Sequence, residues 1–313
     1  MISGRYNYGL GNKDMARAGH NALRERSGLS FSSVATLSAR WGEFCAWARG
    51  QGIRRMEKVE REDVVRYGAG LTEWVKAGQM AESTAQNYVS AVNTVMALAR
   101  GDRAVAVSPT ADCGIGQRSG IATASKATGG AEHRDAQERL PERLGAILGL
   151  ERHLGLRFKE SSLLDARRGL KTALAEGAIR IADGTKGGRP RIVPVLRPEQ
   201  LEALARAAAV QGKDRSMVPG NLRYVDFQRA CHREHGGWHG ERHAYAQARY
   251  ETLVGAPCPV AAGIEHGRAH HAFLAGRLGL TPAQAKAWDI ENRKIVAEEL
   301  GHGRIDVTNA YLG

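Results

Sequence analysis

Residues 12 to 100 place their apolar side chains at the period of an α-helix and nowhere at the period of a strand. That restricts this part of the chain to a helical bundle. Val34, Leu37, Trp41, Phe44 and Ala48 stand three or four residues apart and share one apolar face. Ser32 or Ser33 is placed to cap that helix, and Gly50 with Gly52 to end it. A further helix begins near Glu60 and carries Val64, Tyr67, Leu71, Trp74 and Val75. The next shows Val89, Val92, Val95, Met96 and Ala99, with Ser83 or Thr84 as its cap. Arg17, Arg40, Arg49 and Lys58 lie on the polar faces, where such residues ordinarily solvate a helix.

Periodicity stops at Gly101. The stretch SPTADCGIGQRSGIATASKATGG is rich in Gly, Ser, Thr and Ala and reads as a linker. These features predict a helical domain over 1–102, a linker over 103–133 and a second domain over 134–313. The second domain is of mixed type. Leu140, Leu144, Ile147 and Leu148 predict a helix leading into GLRFKESSLLD. AIRIADGTKGGRPRIVPV predicts a β-hairpin, with Ile179 and Ile181 on one arm, Ile192, Val193 and Val195 on the other, and Gly187-Gly188 at the turn. Alanine-rich helices follow from Pro198 onward. The fold class expected is mostly α with a small β-sheet.

Charge narrows the partners. Lys and Arg number 45 against 33 Asp and Glu, a net charge of +12. Such an excess attracts a polyanion, and nucleic acid, with its condensed counterions, is the obvious one. No apolar run approaches the roughly 18 residues that a membrane helix needs. The opening MISGRYNYGLGNKDM lacks the apolar core of a secretory signal, so the expected compartment is the cytoplasm, with no membrane partner. Cys45, Cys113, Cys231 and Cys258 are scattered without a C-x-x-C pair, which argues against a zinc ribbon or a disulfide framework.

Six residues of the second domain form an ordered set. Arg157 stands in GLRFKES and Lys186 in GTKGGRPR. His239 and Arg242 make an H-x-x-R box in HGERHAYA, and His302 and Tyr311 close the chain in ELGHGRIDVTNAYLG. No single piece is specific, but the order Arg, hairpin Lys, H-x-x-R, L-G-H and a tyrosine nine residues later resembles the tyrosine recombinase family of phage integrases. Within that family it looks like the integrase-domain proteins of proteobacterial mobile elements. The resemblance to the catalytic domain covers about residues 134 to 313, and the helical segment before it resembles the family's SAM-like core-binding domain.

The resemblance implies a site-specific recombinase that embraces duplex DNA as a C-shaped clamp. It implies strand cleavage and rejoining through a 3′-phosphotyrosine, in integrating or excising a mobile element. Tyr311 would be the nucleophile, and His239 would assist its deprotonation. Lys186 would protonate the leaving 5′-oxygen, with an acidic residue at the position of Glu160 as support. No metal, ATP or other cofactor is implied. Self-association into a tetramer on DNA is implied, and accessory DNA-bending proteins fit the same picture.

The residue types suit that chemistry. Negative charge develops on a pentacoordinate phosphorus, and two guanidinium forks, Arg157 and Arg242, can each grip non-bridging oxygens. His302 can add a donor to the same oxygens. A tyrosine hydroxyl titrates near 10 in ordinary surroundings, so attack at neutral pH needs a base or a strongly positive site.

Alternative readings have their own signatures. His239 and His243 stand four apart, as two zinc ligands would, but the zincin motif has Glu directly after the first His and here Gly240 holds that place. A type IB topoisomerase would share the six residues without site choice, and a retired DNA-binding relative would be expected to have lost some of them. Three features depart from the family. Glu241 occupies a position that is usually leucine and would set a carboxylate beside cationic groups unless it points to solvent. The stretch RAHHAFLAGRLGLTPAQAKAWDIENRK is longer than a minimal member needs. Only Leu312 and Gly313 follow Tyr311, where many relatives place a helix that docks on a neighbouring subunit. A frayed Tyr311 segment and a monomer off DNA are the expectations from that last feature.

Overall fold

The computed structural model describes residues 6–313, apart from the Arg26 side chain, so the first five residues of the stretch read for a secretory signal lie outside it. The chain divides into two compact units, Met1–Ser119 and Gly120–Gly313. Among the described residues, no helix is long and apolar enough to cross a membrane.

The first unit is built on helices α1 (Met15–Arg26), α2 (Phe31–Gly50), α3 (Arg61–Lys76) and α4 (Glu82–Arg100). The α2 stripe is inward, with Val34, Trp41, Phe44, Cys45 and Ala48 buried. Trp41 stacks on Phe44 at 5.2 Å and donates its indole N–H to the Met15 carbonyl at 2.9 Å. Gly19 is required under that ring, because a Cβ there would lie 2.1 Å from the indole nitrogen. Three local expectations change. Ser30, not Ser32 or Ser33, caps α2, and its hydroxyl accepts the Ser33 amide. Helix α4 starts two or three residues earlier than a Ser83 or Thr84 cap requires, behind Ala81, so both hydroxyl residues lie inside its first turn. Trp74, expected on the apolar face of α3, is 55% exposed.

The segment expected as a linker does not hang free over its whole length. Val105, Val107, Cys113 and Ile115 are buried in the first core, and the Thr72 hydroxyl donates to the Cys113 carbonyl at 2.7 Å. Gly68 leaves the space that Cys113 fills. The division between the units falls after Ser119, within that segment. Isolated apolar residues pin a series of turns to the core without showing any period.

The second unit contains α5 (Gly130–Arg139), α6 (Glu142–Leu154), α7 (Phe158–Leu163), α8 (Ala166–Glu176), α9 (Pro198–Gln211), α10 (Tyr224–Glu234) and α11 (Trp238–Val254). After these come α12 (Pro259–Ala262), α13 (Arg268–Leu278), α14 (Pro282–Glu299) and α15 (Asn309–Leu312). Helix α6 is central, burying Leu144, Ile147, Leu148, Leu150 and Leu154 between α9 and α11. Strands β1 (Ala178–Ile181) and β2 (Arg191–Pro194) form an antiparallel pair in which Ile181 faces Arg191 and Ile179 faces Val193. The hairpin is present, but its connection runs over 182–190, with Lys186–Gly188 in a single 3-10 turn rather than a two-residue reversal at Gly187-Gly188. Gly184, at φ +73°, lets this connection lie on α7, since a Cβ would meet the Lys159 carbonyl at 2.7 Å. Ile192, one of the residues named for the second arm, is 58% exposed, whereas Arg191 and Val193 point inward.

Candidate active site

One carboxylate organises three arginines. Glu160, in the first turn of α7, is buried. Its oxygens accept the Arg157 amide and Arg157 Nη1, both at 2.8 Å. Arg191 from β2 forks onto the same two oxygens at 2.7 Å each, and Arg242 Nη1 stands 3.8 Å away. Burial alone would raise the Glu160 pKa; the hydrogen bonds and charge of Arg191, with the Arg157 amide and Arg242, outweigh it and hold the carboxyl below its ordinary range. Arg191 also donates Nε to the Glu299 carbonyl at 2.7 Å, which ties the hairpin to the end of α14.

Removing one member of such a buried array leaves unpaired charge in a dry interior. Glu160→Ala is therefore expected to destabilise the second unit by about 3–5 kcal/mol. Denaturant unfolding should show a lowered midpoint at unchanged slope. An unmoved midpoint would mean that the arginines find water instead.

Helix α11 supplies the second group. His239, Arg242 and His243 are three and four residues apart and so share a face. Arg242 is fully buried. Its Nη1 donates to the Gly155 carbonyl and its Nη2 to the Leu300 carbonyl, and its Nε reaches the Tyr311 hydroxyl at 3.3 Å. Gly155 sits at φ +62° where α6 ends, and a Cβ there would press on the Tyr245 ring at 2.4 Å. Burial lowers the Arg242 pKa to about 10, which leaves it charged at neutral pH.

Tyr311 lies at the meeting point. Its hydroxyl is 3.3 Å from His239 Nε2. Its ring packs on His243 at 4.5 Å, His302 at 5.2 Å and His239 at 5.5 Å between centroids. His302 follows Gly301, whose φ of +68° turns the chain beside the Arg191 side chain. The Thr308 hydroxyl holds His302 Nδ1 at 3.0 Å and leaves Nε2 toward Arg242 Nη2 at 3.4 Å. Burial, then the charges of Arg242, Arg157, Arg191 and Lys186, push His302 down to about 3. Burial and the charges of Arg242, Arg157 and Lys126 also lower His239, and His243 falls to about 4 mainly through burial. A neutral His239 can accept a proton from the tyrosine.

Arg157, His239, Arg242, His302 and Tyr311 thus converge, directly or through Glu160. Lys186 reaches them only through its charge, which acts on His302: it is exposed on the hairpin connection and makes no hydrogen bond or ion pair among the described residues. Glu241 takes neither course expected of it. It is fully buried yet turned from Tyr311, with Arg152 Nη1 at 3.1 Å and His133 Nδ1 at 3.0 Å. Two helical steps from His239 carry it to the other side of α11. His239 and His243, weighed above as zinc ligands, both pack on Tyr311.

Nor is the Tyr311 segment frayed. Tyr311 and Leu312 are buried, Gln247 Nε2 donates to the Tyr311 carbonyl at 3.1 Å, and the Ala122 amide donates to the Asn309 carbonyl at 3.0 Å. Sequence reasoning missed Arg191 and Lys126. The signal for Arg191 was available: the alternation that buries Ile179, Ile181 and Val193 places residue 191 inward, where a charged side chain needs a partner.

Comparison with known proteins agrees with this architecture. Residues 118–248 match the model of the Integrase family. No curated protein sequence matches the chain. A solved structure of the Tn1549 transposon integrase in complex with transposon right-end DNA aligns at TM-score 0.55 and 10% identity, over 96% of this chain and 95% of that one. A λ integrase dimer bound to a COC′ core site aligns at 0.53 and 14% identity, over 88% and 75%. The XerH site-specific recombinase bound to palindromic difH aligns at 0.53 and 13% identity, over 95% and 79%. At such identities the likeness is one of fold, a mostly helical chain with a small sheet.

Proposed function

We propose that this chain, an integrase-family protein through residues 118–248 and a tyrosine recombinase by fold, cleaves and rejoins duplex DNA at specific sites. The carrying observation is the Tyr311 hydroxyl, held 3.3 Å from a neutral His239 and 3.3 Å from Arg242 Nε among buried cations. In the proposed step the Tyr311 oxygen attacks the phosphorus as its proton passes to His239. The bond from phosphorus to the 5′-oxygen breaks, and Lys186, brought in by the hairpin connection, protonates that oxygen. Arg157, Arg242 and His302 stabilise the charge on the non-bridging oxygens. The 3′-phosphotyrosine keeps the bond energy, so the reverse attack by a 5′-hydroxyl reseals the strand. Integration or excision of a mobile element is the context proposed, with assembly of four copies on DNA.

The test uses purified protein and a supercoiled plasmid carrying the DNA that flanks this chain's own gene, in EDTA without ATP. Relaxation with a protein–DNA adduct that survives denaturant is the expected result. Because the His239 pKa is lowered, the acid limb of the cleavage rate should lie below pH 6.5, the ordinary value for histidine. Equal relaxation of an unrelated plasmid would point to a topoisomerase, and binding without any adduct to a protein that no longer cuts.

A further inference from the structure

The longer stretch through α13 and α14 builds a seat for the turn that carries Tyr311. Asp289 and Arg293, one helical turn apart on α14, are both buried. Arg293 Nε donates to both Asp289 oxygens, at 3.0 and 2.9 Å. The Tyr250 hydroxyl, from α11, donates to Asp289 as well, and His271 Nε2 and His270 Nδ1 stand 3.4 and 3.9 Å from its oxygens. The other arm of Arg293 reaches the nucleophile segment. Its Nη1 donates to Asn309 Oδ1 at 2.9 Å and to the Gly313 carbonyl at 2.7 Å. Asn309 and Gly313 bracket Tyr311, and the Gly313 amide closes the turn on the Asn309 carbonyl.

We infer that Arg293 is a positioning residue for Tyr311: with Asp289 as its anchor, it fixes both ends of the α15 turn relative to α11. Asp289 is tied to the helix that carries His239 and Arg242, and Arg293 to the turn that carries Tyr311. One ion pair on α14 therefore joins nucleophile and base, and adds to the Gln247 bond by which α11 holds the Tyr311 carbonyl. Only a planar guanidinium can give Nε to the carboxylate and Nη1 to two further oxygens at once. The inference rests on Tyr311 being the nucleophile.

Arg293→Met and Arg293→Lys, in the full chain, separate positioning from mere support. The lysine keeps a charge beside Asp289, so its unfolding midpoint should return close to wild type, but one ammonium cannot hold both the carboxylate and the turn. Both variants should form the plasmid adduct about a hundredfold more slowly, the loss expected from a displacement of about 1 Å at a reacting group. Affinity for the same DNA should be unchanged. Backbone amide exchange over 305–313 should quicken tenfold or more in both, with 238–254 as protected as in wild type. Unaltered exchange at 305–313, or equal loosening of both segments, would overturn the inference, and so would a wild-type rate in Arg293→Lys. Failure of the wild-type protein to form any adduct would instead remove the functional reading, while the exchange data would still decide whether Arg293 holds the turn.

Discussion

On the proposed function, replacing Tyr311 by Phe is expected to abolish the covalent adduct while leaving DNA affinity within a factor of about two, because phosphate contacts made elsewhere would dominate binding. The substitution removes one oxygen and nothing else. The ring still fits among His239, His243, His302 and the Arg242 guanidinium, whose Cζ lies 5.7 Å from its centroid. Arg242 Nε loses its bond to the Tyr311 hydroxyl, but Nη1 and Nη2 keep the Gly155 and Leu300 carbonyls, so the guanidinium stays in place. A lost hydrogen bond to a charged donor costs about 1.5–3 kcal/mol of stability, which a folded unit of this size tolerates. Chemistry has no such reserve, since no other hydroxyl is within hydrogen-bonding distance of His239 Nε2 among the described contacts. Trapping of the Phe variant on a nicked duplex at the wild-type level would remove Tyr311 from its assigned role.

Arginine-to-lysine changes should separate catalysis from binding. Arg157→Lys and Arg242→Lys keep the charge and lose the fork, and each should slow cleavage by about a hundredfold or more, as when a preorganised donor to a developing oxyanion is removed. The two are not equally clean. Arg242 is fully buried and serves two backbone carbonyls, so its lysine variant also loses structural hydrogen bonds. Arg157 has a side chain 23% exposed and a single carboxylate partner, and its loss reads more directly on the reaction. Gel-shift affinity measured beside single-turnover cleavage decides the matter. Parallel losses in both would make these arginines ordinary phosphate contacts.

Much of the architecture is written in local pattern. The three- and four-residue spacing of Val34 to Ala48 buries one face of α2, because backbone geometry alone fixes which side chains share a side of a helix. The alternation of Ile179 and Ile181 gives the hairpin arm in the same way. Caps are less legible: Ser30, Ser32 and Ser33 all satisfy the same local rule, and packing selects the first. The six candidate residues were readable as types in order, since each motif needs only its own neighbours in the chain. The convergence of five of them was not, as the His239 to Tyr311 contact spans 72 residues and the Arg242 to Gly155 contact 87.

What the sequence determined by itself is therefore the helical bundle, the hairpin and the identity of the chemical groups. Only the tertiary structure decided that Arg191 shares Glu160 with Arg157, that Glu241 turns to Arg152, and that Tyr311 is seated rather than frayed. It also decided that residues 105–115 belong to the first core despite a composition that suggests a free linker. The reason is one of range. Periodicity follows from dihedral angles shared by adjacent residues, whereas the partner of a buried charge is whichever group the packing of distant elements brings within about 3 Å, and the low polarity there makes that pairing obligatory.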